Sequence, residues 1–362
     1  MDFWTNIFIF LVTILIYMHL QNQYKKKEDL EIYEMDYISN ANLQEVCDLK
    51  QPVFFAIDHS EHLFSKLHPD LKEEVVVKDI GDYHRSSDTS TNITGISLSF
   101  SSAYGLMDSD PKHIFYSENN TSFLEEADFI PIFSKFSSKI GTSWSVKTSY
   151  DLLFASPKVE TPWKFHTASQ RFLVTSPGEG IRVKMTPWKS RKYMDLVYDY
   201  DAFDFWARSV QENNMKCLDF DLKAGQVLYI PPYWFYSVEF LSSSSDGPKE
   251  ESKISFLASF TFATPMNVIA NADAYGYSLF LNNSSGSSSS SSHSITKTIV
   301  PFSSTKEKVS EEEEKETENT NLEKKKEGET AAFDKQTTKE IQEMLSVIET
   351  QKTAVDLALE LR

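Results

Sequence analysis

The sequence predicts a mainly β domain of barrel or sandwich type, carried behind one membrane-crossing helix and followed by a polar linker and a last helix. Three observations predict it. The second half of the core region breaks into runs of roughly five to nine β-forming residues separated by turns, a rhythm that suits a barrel or sandwich better than a βαβ fold. Rings are abundant, with 26 Phe and 16 Tyr against 11 Gly in 362 residues, which suits a β-rich core filled by aromatic side chains. Near the N-terminus, residues 3–20 (FWTNIFIFLVTILIYMHL) are apolar apart from Thr5, Asn6, Thr13 and His19.

That first segment defines an anchor at residues 1–22. Eighteen helical residues at 1.5 Å each span roughly 27 Å, enough for a bilayer core. Trp4 and Tyr17 stand near its two ends, where amphipathic rings favour the interface. A cleaved signal peptide has a basic start and a small-residue cleavage site; here the start is Met1-Asp2 and the sequel is Gln-Asn-Gln-Tyr-Lys-Lys-Lys. A buried core helix is the other alternative. Lys25, Lys26 and Lys27 follow the apolar run with no basic residue before it, so the positive-inside rule puts the bulk of the chain in the cytosol.

Composition divides the remainder. Residues 28–270 are mixed and core-forming, interrupted by exposed polar loops at 86–94 and 241–253. Residues 271–336 form a linker, first serine-rich (NNSSGSSSSSSHS) and then dense in Glu and Lys, a composition that cannot bury a core. Residues 337–362 open on a capping-box pattern, Thr337-Thr-Lys-Glu340, and repeat Ile341, Ile348 and Val355 every seven residues. That predicts an amphipathic helix, which either packs on its own domain or makes a short homo-oligomeric coiled coil. The net charge of −17 argues against a nucleic-acid partner, which needs a basic face. Cys47 and Cys217 are the two cysteines; they have neither zinc-site spacing nor the number for a disulfide framework, and fit a reducing compartment.

Within the core, residues 171–175 (RFLVT) and 181–185 (IRVKM) alternate across Gly178-Glu-Gly180 and read as a hairpin. Residues 217–222, 227–230, 236–240 and 254–262 read as further strands, and 43–49, 59–68 and 201–211 as helices.

Three blocks in order carry a family resemblance over residues 40–265. LQEVCDLKQPVFF (43–55) resembles the helix-to-strand entry of JmjC or factor-inhibiting-hydroxylase-type cupins. TPWKFHTASQRFLVTSPGEGIRVKMTP (161–187) is similar to their metal-binding strand pair. Gly225-Gln-Val-Leu-Tyr-Ile-Pro231-Pro232-Tyr-Trp234-Phe-Tyr236 resembles their second motif. The chain, with its anchor, is also similar to cupin-like proteins encoded by large DNA viruses of algae and protists. The resemblance implies a double-stranded β-helix (jelly-roll) barrel with flanking helices.

It also implies an iron site, and here the sequence departs from the pattern. Non-haem Fe(II) oxygenases hold iron with two His and one carboxylate, leaving positions for 2-oxoglutarate and oxygen. His166 takes the first ligand position. Ala168 stands where the carboxylate is expected, and Tyr236 where the distal His is expected. A single neutral imidazole cannot hold Fe(II), and a phenol must first lose a proton with a pKa of about 10. His166 is then expected to be a hydrogen-bonded core residue, with Tyr236 as its partner. Arg182 and Lys184, which share a strand face, are the candidates for clamping a small carboxylate, in a pocket with His166, Tyr236 and Trp234. A second cluster, His59, His62 and His68 with Asp58 and Glu61, reads as an exposed polar helix. No Gly-rich phosphate loop and no Gly-x-Ser-x-Gly motif is present. Trp144, Trp163, Trp188, Trp206 and Trp234 read as core and barrel-mouth packing.

Three functions follow. The leading one is a membrane-tethered, non-catalytic scaffold working through protein contacts, as in virion or membrane assembly, with no cofactor. The others are a divergent Fe(II)/2-oxoglutarate-dependent oxygenase, of hydroxylase or demethylase type, and a small-carboxylate-binding pseudoenzyme. The balance leans away from an enzyme.

Overall fold

In a computed structural model of the chain, the described residues are 3–85, 93, 95–177, 180–199, 204–241 and 254–272. The expected loops at 86–94 and 241–253 (apart from Ile93 and Leu241), the linker beyond residue 272, the C-terminal helix and the turn residues 178–179 lie outside them.

The chain opens with α1 (Phe3–Tyr24), followed by β1 (Tyr33–Glu34), α2 (Asn40–Cys47), β2 (Val53–Ala56) and a 3-10 turn at Ser60–Phe64. Then come β3 (Glu74–Asp79), α3 (Ile80–Arg85), β4 (Ile96–Ser99), α4 (Phe100–Asp108), β5 (Phe115–Ser117), α5 (Thr121–Glu126) and α6 (Ile130–Ile140). The β-rich half holds β6 (Lys147–Ala155), β7 (Lys164–Phe165), β8 (Gln170–Thr175), β9 (Ile181–Thr186) and a 3-10 turn at Trp188–Tyr193. It continues with β10 (Met194–Asp199), β11 (Asp204–Val210), a 3-10 turn at Glu212–Asn214 and β12 (Leu218–Leu222). It ends with β13 (Gln226–Ile230), β14 (Phe235–Phe240), β15 (Phe256–Ala263) and α7 (Pro265–Ala270).

The described residues are mainly β, forming two sheets and several helices. One sheet has nine strands in the order β1-β2-β13-β8-β15-β6-β5-β3-β4, the other six in the order β10-β11-β7-β14-β9-β12. β6, β8, β13 and β15 lie in the first sheet, while β7, β9 and β14 lie in the second, so the chain repeatedly crosses between them.

Side-chain alternation explains the layers. On the nine-stranded sheet, Phe154, Phe172, Val174, Val227, Tyr229, Ala258 and Phe260 point to one face. There they pack with Leu43 of α2, Phe100 of α4, Phe123 of α5 and Phe133 and Phe136 of α6. The Phe133 and Phe260 rings stack at 5.3 Å. The residues between them, Leu173, Leu228 and Leu257, point the other way and meet Ile181, Val183, Met185, Trp206 and Val238 of the six-stranded sheet. The far face of that sheet carries a third cluster, with Trp163, Phe165, Phe205 and Phe235 at its centre.

Two sequence expectations are corrected. Residues 171–175 and 181–185 are not a hairpin: β8 pairs with β13 and β15, whereas β9 pairs with β12 and β14 in the other sheet. The expected helix at 201–211 is instead β11, paired with β10 and β7 over residues 204–210. Both faces of β11 are buried, Trp206 inward and Phe205 and Ala207 outward, so its sequence lacks the apolar–polar alternation that marks a half-exposed strand. The helix expected at 59–68 shrinks to the 3-10 turn Ser60–Phe64.

In α1, the window Ile7–Tyr24 has a mean hydropathy of 1.3 and none of it is buried. It is one N-terminal helix long and apolar enough to cross a membrane. Phe8 and Met18 are 68% and 65% exposed, which removes the core-helix alternative.

Candidate functional site

The space between the sheets is apolar at one end and polar at the other. At the polar end, inward positions of β15 hold Ser259 and Thr261, those of β6 hold Lys147, Ser149 and Asp151, and β8 contributes Arg171. β7 and the residues after it bring Lys164, His166 and Ala168, and β14 brings Tyr236, around a cavity of about 370 Å³. Glu118 closes one wall.

His166 is 2% exposed. Its Nε2 donates to the Ile230 carbonyl at 3.0 Å, while Nδ1 meets no partner. Burial, with the charge of Arg171 added, pushes the imidazole well below its ordinary pKa, which favours the neutral ring. Its carbonyl accepts from Tyr233 N at 2.9 Å. Tyr233 has φ +64°, a left-handed conformation uncommon outside glycine, and this turn carries Pro231 and Pro232.

Arg171 and Tyr236 form one unit. The guanidinium donates from Nη1 to Tyr236 Oη at 2.7 Å and from Nε to Thr261 Oγ1 at 3.1 Å. The expected His166–Tyr236 hydrogen bond is therefore not formed: the carbonyl of Ile230 takes the imidazole and Arg171 takes the phenol.

Behind the cavity wall lies a charged network. Lys164 Nζ donates to Glu118 Oε1 and Oε2 at 2.7 and 2.6 Å, and Lys78 Nζ donates to Oε1 at 2.8 Å. The hydroxyls of Tyr83 and Tyr116 donate to the same oxygen at 2.8 and 2.5 Å. Burial alone raises the Glu118 pKa, but the two ammonium groups outweigh it and hold the carboxyl well below the ordinary range. Asp151 is different. Burial pushes it up to about 6, although it accepts from the backbone N–H groups of Asn119, Asn120 and Leu152 at 2.9, 2.7 and 2.9 Å.

Of the residues the sequence singles out, His166, Ala168 and Tyr236 meet at this cavity. Arg182 and Lys184 do not. β9 buries Ile181, Val183 and Met185, so the two basic side chains point outward, where Arg182 pairs with Asp219 at 2.7 Å and Lys184 with Glu160 at 2.8 Å. A strand shows one face every second residue, and here the apolar set claims the interior. Trp234 is buried in the inter-sheet core, outside the cavity lining. The cations that do reach the cavity are Lys147, Lys164 and Arg171. Their signal is local: Lys164 stands two residues before His166, and polar Ser259 and Thr261 interrupt the inward face of an otherwise apolar strand.

The iron that the sequence resemblance implies does not fit these residues. Ala168 has no donor atom, Tyr236 Oη is engaged by Arg171, and His166 Nε2 by a carbonyl. Among the described residues, the grouping of His and carboxylate side chains able to converge on one ion is His59, Glu61 and His62, whose ligand atoms lie within 4.8 Å of one another. It stands exposed on the surface turn, away from the cavity, with the two imidazoles stacked at 5.3 Å. His68 and Asp58 are not part of it.

No protein-family model matches the chain, and no curated protein matches it at a significant level.

Proposed function

We propose that the chain is a membrane-anchored, cytosol-facing binding protein of the cupin-like, double-stranded β-helix class, and that it takes a small carboxylate in its inter-sheet cavity without iron chemistry. The observation that carries this reading is the polar end of the sandwich. Strand positions on the inter-sheet face that elsewhere hold Leu, Ile and Val hold Asp151, Arg171, Ser259 and Thr261, with the exposed Ser149 at the rim, around about 370 Å³ of space. Polar lining inside a core costs stability unless its groups are satisfied, and a concave pocket with a few convergent polar groups is the usual form of a ligand site. The described lining brings three cations, Lys147, Lys164 and Arg171, against Glu118 and Asp151, with His166 beside them. The exchange of strands between the two sheets supports the fold assignment. The anchor reading is supported by α1, and its orientation by Lys25, Lys26 and Lys27.

A thermal-shift screen of the detergent-solubilised full chain with small mono- and dicarboxylates tests the proposal. At ligand a hundredfold over Kd, stabilisation is about 2.7 kcal/mol, which for a domain of this size moves the midpoint by roughly 5–10 °C. Arg171→Met is expected to abolish the shift. A panel in which no carboxylate moves the midpoint, or in which Arg171→Met changes nothing, sinks the idea.

A further inference from the structure

The junction between α1 and the domain is held by several separate contacts. Lys50 Nζ donates to the carbonyl of Asn22, and lies 3.4 Å from that of Lys25. Tyr24 Oη donates to the carbonyl of Ala270 in α7. The Lys26 ammonium sits over the rings of Trp188 and Tyr233, 4.3 and 4.6 Å from their centroids. Glu28 accepts from the backbone N–H of Lys189 at 3.1 Å. The chain immediately after the apolar window is thus fastened to the turn Trp188–Tyr193 and to α7.

These contacts fix the level of the domain relative to α1. A residue spans at most about 3.6 Å, so Lys26, two residues past the end of the window, lies within roughly 7 Å of it. Its ammonium then reaches the Trp188 and Tyr233 rings, which places them close to the end of that window. If α1 crosses a bilayer, the turn and α7 face the headgroups.

The side chains on that face suit the position. The turn reads Trp-Lys-Ser-Arg-Lys-Tyr, with Lys189, Arg191 and Lys192 exposed and Trp188 and Tyr193 half-buried. Arg191 lies 5.3 Å from the Trp188 centroid, and Lys192 4.9 Å from that of Tyr193. With Lys25, Lys26 and Lys27 this gathers six cations in a chain of net charge −17. Beside them α7 leaves Ile269 50% exposed. Trp and Tyr with Lys and Arg is the composition of a membrane–water interface, and clustered cations next to a span attract anionic lipid over about one Debye length.

We infer that the turn Trp188–Tyr193, together with α7 and Lys25–Lys27, is a membrane-facing surface that binds the headgroups of anionic lipids and holds the domain against the bilayer. The inference rests on the anchor reading given above. It fixes which face of the domain is covered by lipid.

The test is hydrogen–deuterium exchange on the full chain in nanodiscs of phosphatidylcholine, with and without phosphatidylserine. The expected result is slower exchange over residues 187–194 in the anionic discs, by roughly tenfold, reversed by high salt. The charge-reversal variant K189E/R191E/K192E is expected to lose that protection while remaining in the discs. Equal exchange in the two lipids by the disc-inserted native chain overturns the inference alone. Release of the native chain from vesicles by alkaline carbonate overturns the anchor reading, and the inference with it. Because the lipid comparison uses the native chain, its outcome stands even if the variant fails to fold.

Discussion

Lys164 joins two roles, lining the cavity and neutralising Glu118 from 2.6 Å. Removing one partner of a buried ion pair leaves the other charge poorly compensated, at a cost of about 3–5 kcal/mol. Lys164→Met is therefore expected to lower the unfolding midpoint in chemical denaturation by that equivalent. An exposed pair such as Arg182–Asp219 is worth little, so Arg182→Met should leave the midpoint nearly unchanged. Asp151 adds its own pH dependence. Its folded pKa of about 6 lies above the unfolded value of about 3.9, so the folded state binds more protons in that interval. Its contribution to stability therefore falls as pH rises from about 4 to about 6. Denaturation of the native chain and Asp151→Asn across that window should give a difference profile sloping in this direction; a flat difference contradicts the assignment. Protonation also removes a negative charge from the cavity, so carboxylate binding should tighten below about pH 6.

At the level of elements, β15 shows how a single strand serves packing and site. Phe260 and Phe262 face the helices, and Ser259 and Thr261 face the cavity. Phe260→Ala should cost about 3–5 kcal/mol through lost burial and the void left behind. Ser259→Val should leave stability intact, since it adds apolar volume beside a cavity, yet weaken ligand binding at least about tenfold; unchanged affinity would remove β15 from the site. The same strand explains what is legible in the sequence. Its run of β-formers announces a strand, as do β8, β9, β12, β13 and β14, and His166, Ala168 and Tyr236, singled out by the resemblance, line one cavity. Partners of strands are another matter. The Gly178–Gly180 turn suggests a local hairpin, but β8 and β9 separate into different sheets, because pairing is decided by long-range contacts that local sequence does not encode. Arg182 and Lys184 carry the right charge on the wrong face, and Asp110 and Asp151, whose carboxylates bind backbone N–H groups, show no pattern at all.

Across the whole molecule, an apolar helix, a sandwich with one polar end and a basic face beside the anchor form a consistent arrangement. On the proposed reading the helix brings the domain to a bilayer and the Trp188–Tyr193 turn faces its headgroups, while the cavity opens between sheets that the helical layer stabilises from behind. At the centre of this arrangement is a cavity proposed to bind a small carboxylate with protein groups alone. Isothermal titration calorimetry of the full chain with a dicarboxylate, run in excess chelator, is the decisive test. Saturable one-to-one binding is expected to persist under chelation, to weaken in Ser259→Val and to disappear in Arg171→Met. Binding that appears only when Fe(II) is added, or no heat with any small carboxylate, would contradict it.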